Sequence, residues 1–146
     1  MGWLNRIGSR CGIGATALGG CISLALVQTA KADDKPVDFS SQIQPIFKDS
    51  CVKCHSLNNP RKQPAGGLQL DDKDAALKGG KLGHDIVPGD STQSLLYKLL
   101  LGPTSVNGHH VDAMPKQRRG EEFKPLGKEM IDLIKSWIDQ GAKWSS

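Results

Sequence analysis

The sequence predicts an all-α fold, and three observations support that prediction. Apolar residues recur at helical spacing in several segments, each bounded by a capping residue or by Gly and Pro. No segment shows the alternating pattern of a half-buried strand. No internal repeat is present either. We therefore expect one small helical domain over residues 33–146, preceded by a segment of a different kind over residues 1–32.

The preceding segment, residues 1–32, has the features of a secretory signal peptide. Arg6 and Arg10 give it a positive start, and residues 12–30 are uncharged and mostly small or apolar. Ala30-Lys31-Ala32 is a small-x-small cleavage pattern, so we expect cleavage after Ala32 and export to the periplasm. Two alternatives stay open, an uncleaved membrane anchor and a lipoprotein signal ending at Cys21.

The basic character of the full chain comes mostly from this segment. The chain carries 19 Lys and Arg against 15 Asp and Glu, a net charge of +4. Three basic residues, Arg6, Arg10 and Lys31, precede the predicted cleavage site, which leaves 16 basic against 15 acidic side chains. A nearly neutral domain is not expected to bind nucleic acid, and membrane contact is expected only if the N-terminal segment is retained.

The first helix of the domain is expected to start at Ser40 or Ser41, because either hydroxyl can cap it. Pro45 lies within its first turns, where proline is tolerated best. The apolar positions follow at helical spacing and are Ile43, Ile46 and Phe47. This helix leads directly into residues 51–55, the most informative stretch of the chain.

A loop and a brief helix come next. Residues 57–67 are rich in Asn, Pro and Gly, which predicts a loop. Asp71 or Asp72 can then cap a helix over residues 73–78, and Gly79-Gly80 ends it.

Two further helices complete the prediction. Asp90 or Ser91 can cap the first, which Gly102-Pro103 stops. Its apolar positions are Leu95, Leu96, Leu99 and Leu100. Residues 104–120 are expected to be irregular. The last helix spans residues 126–141, with one apolar stripe formed by Leu126, Met130, Ile131, Ile134, Trp137 and Ile138.

The stretch Cys51-Val52-Lys53-Cys54-His55 has the Cys-x-x-Cys-His spacing at which c-type haem is covalently attached. Two thiols three positions apart on one helical turn can each form a thioether with one haem vinyl group. The histidine that follows then lies under the iron and supplies one axial ligand. The sequence therefore predicts one covalent haem c, attached through Cys51 and Cys54 and ligated by His55.

Three other interpretations of this motif are weaker. A structural zinc site needs four ligands, but Cys11 and Cys21 lie in the predicted signal peptide. The neighbours His109 and His110 also lack the usual spacing of zinc ligands. A thioredoxin-type redox dithiol belongs in a βαβ pattern, which the sequence does not show around Cys51. The third alternative is coincidence or a plain disulfide.

Met114 is the favoured candidate for the second axial ligand of the iron. It lies in the irregular, polar stretch Asp112-Ala113-Met114-Pro115, where a thioether has no evident packing role. Pro115 restricts the backbone of Met114 to an extended conformation, which suits a loop that holds one sulfur against the iron. A thioether ligand also raises the reduction potential.

Four other side chains are weighed for that position. Met130 lies on the apolar stripe of the last helix and is expected in the core. His84 is expected to be a solvated surface residue. His109 and His110 stay open, either as an alternative ligand or as polar contacts at the haem rim.

Short sequence blocks carry a family resemblance over nearly all of residues 33–146. They are Ile43-Gln44-Pro45-Ile46-Phe47, the Cys51–His55 motif, Gly66-Gly67-Leu68-Gln69-Leu70-Asp71, Ala75-Ala76-Leu77-Lys78-Gly79-Gly80, Ile86-Val87-Pro88-Gly89-Asp90, Ser94-Leu95-Leu96-Tyr97, Met114-Pro115 and Trp137-Ile138-Asp139-Gln140-Gly141-Ala142. In this order the blocks resemble the planctomycete-type cytochrome c domain. The chain departs from that family at Leu126-Gly127-Lys128, where a Leu-Thr-Pro-type cap is usual, and at Lys116, where a second proline is commoner.

The resemblance implies a cytochrome c-like helical domain wrapped around one haem. It implies thioethers at Cys51 and Cys54, His55 as proximal ligand and Met114 as distal ligand. The leading hypothesis is an electron-transfer protein and not an enzyme, with the iron cycling between Fe(III) and Fe(II) and with redox proteins as partners. One alternative is a haem-bearing subunit through which electrons enter a larger oxidoreductase complex. Another is a haem sensor or enzyme with a displaceable sixth ligand. Lys53, Lys62 and Lys116 are candidates for steering an acidic partner.

Overall fold

The computed structural model describes residues 35–116 and 125–145. This part of the chain contains four α-helices and two short strands. They are α1 (Gln44–Ser50), α2 (Lys73–Lys78), α3 (Leu95–Leu101), β1 (Thr104–Val106), β2 (His109–Val111) and α4 (Lys128–Asp139). The predicted signal peptide over residues 1–32 and its cleavage site lie outside the described residues.

The all-α prediction is wrong, because β1 and β2 form an antiparallel hairpin with Ser105 opposite His110. The turn between the strands is Asn107-Gly108, and both residues have positive φ, 51° and 78°. Asn-Gly is the pair that a two-residue hairpin turn favours, because both central positions need left-handed backbone. Each strand has three residues, so a period of two could not be recognised in the sequence.

Asp38, and not Ser40 or Ser41, caps the first helical segment. Its carboxylate accepts hydrogen bonds from the N–H and the hydroxyl of Ser41, at 2.8 and 2.6 Å. A helical turn over Phe39–Ile43 follows and continues into α1, with Pro45 in the first turn. The helix therefore begins earlier than expected.

The α2 prediction is confirmed, and the start of α3 is corrected. The Asp72 carboxylate accepts the Ala75 N–H at 2.8 Å, and α2 ends at Gly79, whose φ is 83°. The Asp90 carboxylate instead caps a separate turn, accepting from the Thr92 hydroxyl and the Gln93 N–H. Helix α3 accordingly begins after Ser94.

An aromatic cluster links α1 to α4 at the centre of the core. The Phe47 and Trp137 rings meet edge to face, with centroids 5.7 Å apart, and Phe39 and Trp144 complete the cluster. The buried residues of α4 are Ile134, Trp137 and Ile138. Met130, expected in the core, is 46% exposed, so the apolar stripe of α4 is buried only over its C-terminal half. None of the helices among the described residues has the length and apolar character needed to cross a membrane.

The junction after α2 gives a stability prediction with a matched control. Gly79 and Gly89 have nearly equal φ values, 83° and 88°. A Cβ at Gly79 would overlap the Gly83 carbonyl oxygen, whereas a Cβ at Gly89 would have nothing within 4 Å. Backbone strain should therefore lower the free energy of unfolding of Gly89→Ala by about 1 kcal/mol. Gly79→Ala has the same strain and an added clash, so its free energy of unfolding should fall by roughly 3 kcal/mol. Denaturant unfolding of the two variants measures the difference, and equal losses would contradict the packing of this junction.

Candidate haem site

The Cys51–His55 motif is wound as a tight helical turn that continues α1. The Cys51 N–H donates to the Phe47 carbonyl at 2.9 Å, and the N–H groups of Cys54 and His55 both donate to the Cys51 carbonyl at 3.0 Å. Successive residues of such a turn lie close together, so two thiols and an imidazole project from one small region. Both cysteines are partly buried, and neither is in a disulfide.

The His55 ring is oriented by a backbone carbonyl. Nδ1 of His55 lies 3.3 Å from the Leu68 carbonyl oxygen, and since a carbonyl can only accept, Nδ1 is the protonated nitrogen. That tautomer leaves Nε2 with its lone pair available to a metal. Burial also lowers the pKa of His55, which favours the neutral imidazole that a metal requires. Leu68 directly follows the loop predicted over residues 57–67.

The cysteine electrostatics do not suit a redox dithiol. Burial of the Cys51 thiol, and to a smaller extent the charge of the nearby Cys54, raises the pKa of Cys51 to about 12. Reactive cysteines of the thioredoxin type have the opposite property, a lowered pKa that makes the thiolate available.

Across residues 35–116 and 125–145, no three or more His, Cys, Asp or Glu side chains are grouped to hold a metal ion.

Asn59 holds the loop that follows the motif, a role that its sequence context did not reveal. Its side chain is buried, and Nδ2 donates to the carbonyls of Cys54, Ser56 and Gln63 at 3.1, 2.6 and 2.6 Å. Its Oδ1 accepts the Arg61 N–H at 2.8 Å. One amide therefore ties the end of the motif to the loop beside it.

Replacing Asn59 with Ala should destabilise the protein substantially. The change removes the partners of several backbone groups, and each unsatisfied buried group costs about 1–3 kcal/mol, so we expect a loss of roughly 3 kcal/mol. The neighbouring Asn58 is exposed, and Asn58→Ala should cost no more than ~0.5 kcal/mol. Thermal unfolding measures the melting temperatures of the two variants, which are compared with each other and with wild type. A similar melting temperature for both would show that Asn59 does not hold the loop.

A cavity of about 800 Å³ opens beside the motif. Cys51, Cys54 and His55 line the cavity together with loop residues 59–61 and 63–66, and the apolar face of α3 lines it as well. Phe47 and Ile134 connect the cavity to the core. Its volume lies within the range of about 300–1,000 Å³ that is usual for ligand and cofactor sites.

Met114 lines this same cavity. The β1–β2 hairpin leads into its loop, and the Met114 N–H donates to the Leu99 carbonyl of α3 at 2.8 Å. The hairpin that the sequence did not predict is therefore the element that carries Met114 to the cavity. The Met114–Pro115 peptide bond is cis.

The alternative ligands lie elsewhere. His84, His109, His110 and Met130 are exposed and are not among the residues that line the cavity. The imidazole of His110 lies 3.5 Å from the Asp112 carboxylate, on the exposed side of β2. Of the side chains weighed for the second axial position, Met114 is the one that shares a cavity with His55.

The residues of the cavity fit a haem c. Two thiols can form the thioethers, an imidazole and a thioether sulfur are known axial donors, and most of the remaining wall is aliphatic. Cationic side chains reach the same cavity from exposed positions, and they are Lys53, Arg61, Lys81 and Lys116. Such cations suit the two propionates of a haem. Lys62, also weighed as a steering lysine, does not line the cavity.

The arrangement of motif, cavity and methionine loop suits a covalently attached haem, and comparison with known proteins points to the same kind of site. The family model described as planctomycete cytochrome C matches residues 51–107, starting at the first cysteine of the motif. Hydrazine synthase subunit alpha of Kuenenia stuttgartiensis is 30% identical over 129 residues, which cover 77% of this chain and 16% of that protein. No solved structure matches.

The family resemblance predicted from the sequence is thereby confirmed. The match covers residues 51–107, which resemble the planctomycete cytochrome C family there. That similarity points to a covalently bound c-type haem and to a role in electron transfer. The chain spans about a sixth of the length of its curated relative, hydrazine synthase subunit alpha.

Proposed function

We propose that this chain is an exported c-type cytochrome with one haem, which carries single electrons between partner proteins. One observation supports this most strongly, namely that Cys51, Cys54, His55 and Met114 all line one cavity. When bound there, the haem supplies an iron that takes up and releases one electron. The protein's part is to attach the group, to set its axial ligands and to limit water access.

Cys51 and Cys54 make the covalent attachment. Each S–H adds across one vinyl double bond, so a carbon–sulfur bond forms and the hydrogen goes to the other vinyl carbon. The addition is redox-neutral and needs no further reactant. The fixed turn of residues 51–55 then keeps the His55 imidazole beneath the attached group.

In this proposal His55 and Met114 would be the two protein ligands that hold the iron. Nε2 of His55 is the available nitrogen because Nδ1 donates to Leu68. A site closed by two protein ligands has no open position for a substrate, which favours electron transfer over catalysis at the iron. The electron would then pass through the exposed edge of the haem during brief encounters, which typically use small interfaces.

A second candidate function is a haem-bearing part of a larger oxidoreductase complex. The specific observation behind it is the similarity to hydrazine synthase subunit alpha, whose name describes a subunit of an enzyme. In that case the same site would pass electrons to a fixed partner. Gel filtration of native material distinguishes the two, because a carrier elutes as a small protein and a subunit elutes with its partner.

The carrier proposal is tested by redox titration of the purified native protein. We expect a reversible transition that fits a one-electron Nernst curve, and a ferrous form that binds carbon monoxide slowly or not at all. Rapid, tight binding of carbon monoxide would instead support a sensor or enzyme with a displaceable ligand.

A further inference from the structure

Asp85 is a buried carboxylate in the wall of the haem cavity, and neither attachment nor axial ligation uses it. It is 7% exposed, and within the described residues it is the only Asp or Glu in the buried class. It lies between α2 and α3 and lines the same cavity as His55. Burying a carboxylate is costly unless it is fully paired, so its position asks for an explanation.

The hydrogen bonds of Asp85 hold it firmly but do not fully satisfy its charge. Oδ2 accepts the Gly80 N–H at 2.6 Å, and the backbone carbonyl of Asp85 accepts the Leu96 N–H at 2.9 Å. Within the described residues the carboxylate has no other hydrogen bond. Burial accordingly raises the pKa of Asp85, and the Gly80 N–H and the charges of His55 and His84 oppose that rise.

Gly80 connects this carboxylate to the proximal histidine. A Cβ on Gly80 would lie 3.0 Å from Asp85 Oδ2 and 3.1 Å from the Leu68 nitrogen, so both the carboxylate and the Leu68 backbone lie close to Gly80. Leu68 in turn presents its carbonyl to Nδ1 of His55. The carboxylate also acts on the imidazole through space, because Asp85 and His55 line the same cavity and a charge acts across such a distance.

We infer that Asp85 is a positioning residue of the haem site, whose negative charge acts through His55 to lower the reduction potential of the iron. The inference rests on the proposed function. The ferric site carries one more positive charge than the ferrous site, so a nearby carboxylate stabilises the ferric form more. Asp85 therefore offsets part of the rise in potential that the Met114 thioether brings.

The test is Asp85→Asn, which keeps the size of the side chain and an oxygen for the Gly80 N–H but removes the charge. We expect the ferrous-to-ferric ratio at a fixed ambient potential to rise about tenfold, which is a shift of about +59 mV for one electron. The matched control is Asp74→Asn, which makes the same change of charge on an exposed side chain of α2. The control should leave the potential nearly unchanged.

The outcomes separate this inference from the proposed function. A wild-type protein without covalent haem overturns the proposed function. A normal haem spectrum with the same potential in Asp85→Asn and wild type overturns only the role of Asp85, as does an equal shift in the Asp74→Asn control. If Asp85→Asn does not retain haem, Asp85→Ser is measured, because it is also uncharged and keeps a hydrogen-bond acceptor. A raised potential in that variant supports the inference, and an unchanged one overturns it.

Discussion

Replacing Met114 with Ala is expected to open one axial position of the iron and to lower its reduction potential. Met114 shares the cavity with His55, and its N–H is tied to the Leu99 carbonyl, so an alanine leaves the loop in place without the sulfur. Loss of the thioether removes the preference for ferrous iron. We expect a fall on the order of 0.1–0.2 V, a fraction of the ~0.8 V over which axial ligands set haem potentials. Redox titration measures it.

Carbon monoxide provides the second measurement on the same variant, and Met130 provides the control. The ferrous Met114→Ala protein should bind carbon monoxide quickly, because a sixth position is free. Met130→Ala removes a methionine that is 46% exposed and outside the cavity, so its spectrum and potential should match wild type. An unchanged spectrum in Met114→Ala would contradict Met114 as the second axial ligand. His109 and His110 would then be the candidates to replace next.

Replacing both Cys51 and Cys54 with Ala is expected to abolish covalent haem attachment. Each thiol supplies one thioether, so either single variant should keep one bond and the double variant none. A group held only by axial ligation can dissociate, and the stabilisation that it gives to the folded state then depends on its free concentration. We therefore expect the double variant to lose haem stain on a denaturing gel and to unfold at lower denaturant concentration.

Cys21 provides the control for these cysteine variants. It lies in the predicted signal peptide, outside the described residues, and Cys21→Ala should leave haem attachment intact. The same variant tests the lipoprotein alternative. If Cys21 carries a lipid anchor, Cys21→Ala should release the protein from membranes. Covalent haem in the Cys51 and Cys54 double variant would contradict the attachment site.

Local signals in the sequence predicted part of the fold correctly. Asp72 and Gly79 mark the two ends of α2 through contacts within a few residues, and the helix lies where they predict. The hairpin is not predicted by the sequence pattern although Asn107-Gly108 is a local signal for it, because its three-residue strands are too short to show alternation. The burial predicted for Met130 is wrong. An apolar stripe indicates which face of a helix is buried, but it does not indicate over what length of the helix other elements pack against that face.

The motif predicted the side chains of the candidate site better than their surroundings. Cys51, Cys54, His55 and Met114 do line one cavity, and their bonds to a haem remain predictions. The sequence indicates only a turn at Asn59, because its hydrogen-bond partners depend on how the loop folds back onto the motif. Asp85 carried no signal at all, since its burial depends on the packing of α2 and α3 around it.

The most direct test of a covalent haem c is the pyridine haemochrome spectrum of the purified protein after extraction with acidified acetone. We expect the haem to stay with the polypeptide, in a ratio of one per chain, with the reduced spectrum of a haem whose two vinyl groups are saturated. Haem that passes into the solvent, or a polypeptide without haem, would contradict the attachment at Cys51 and Cys54 and with it the proposed electron carrier.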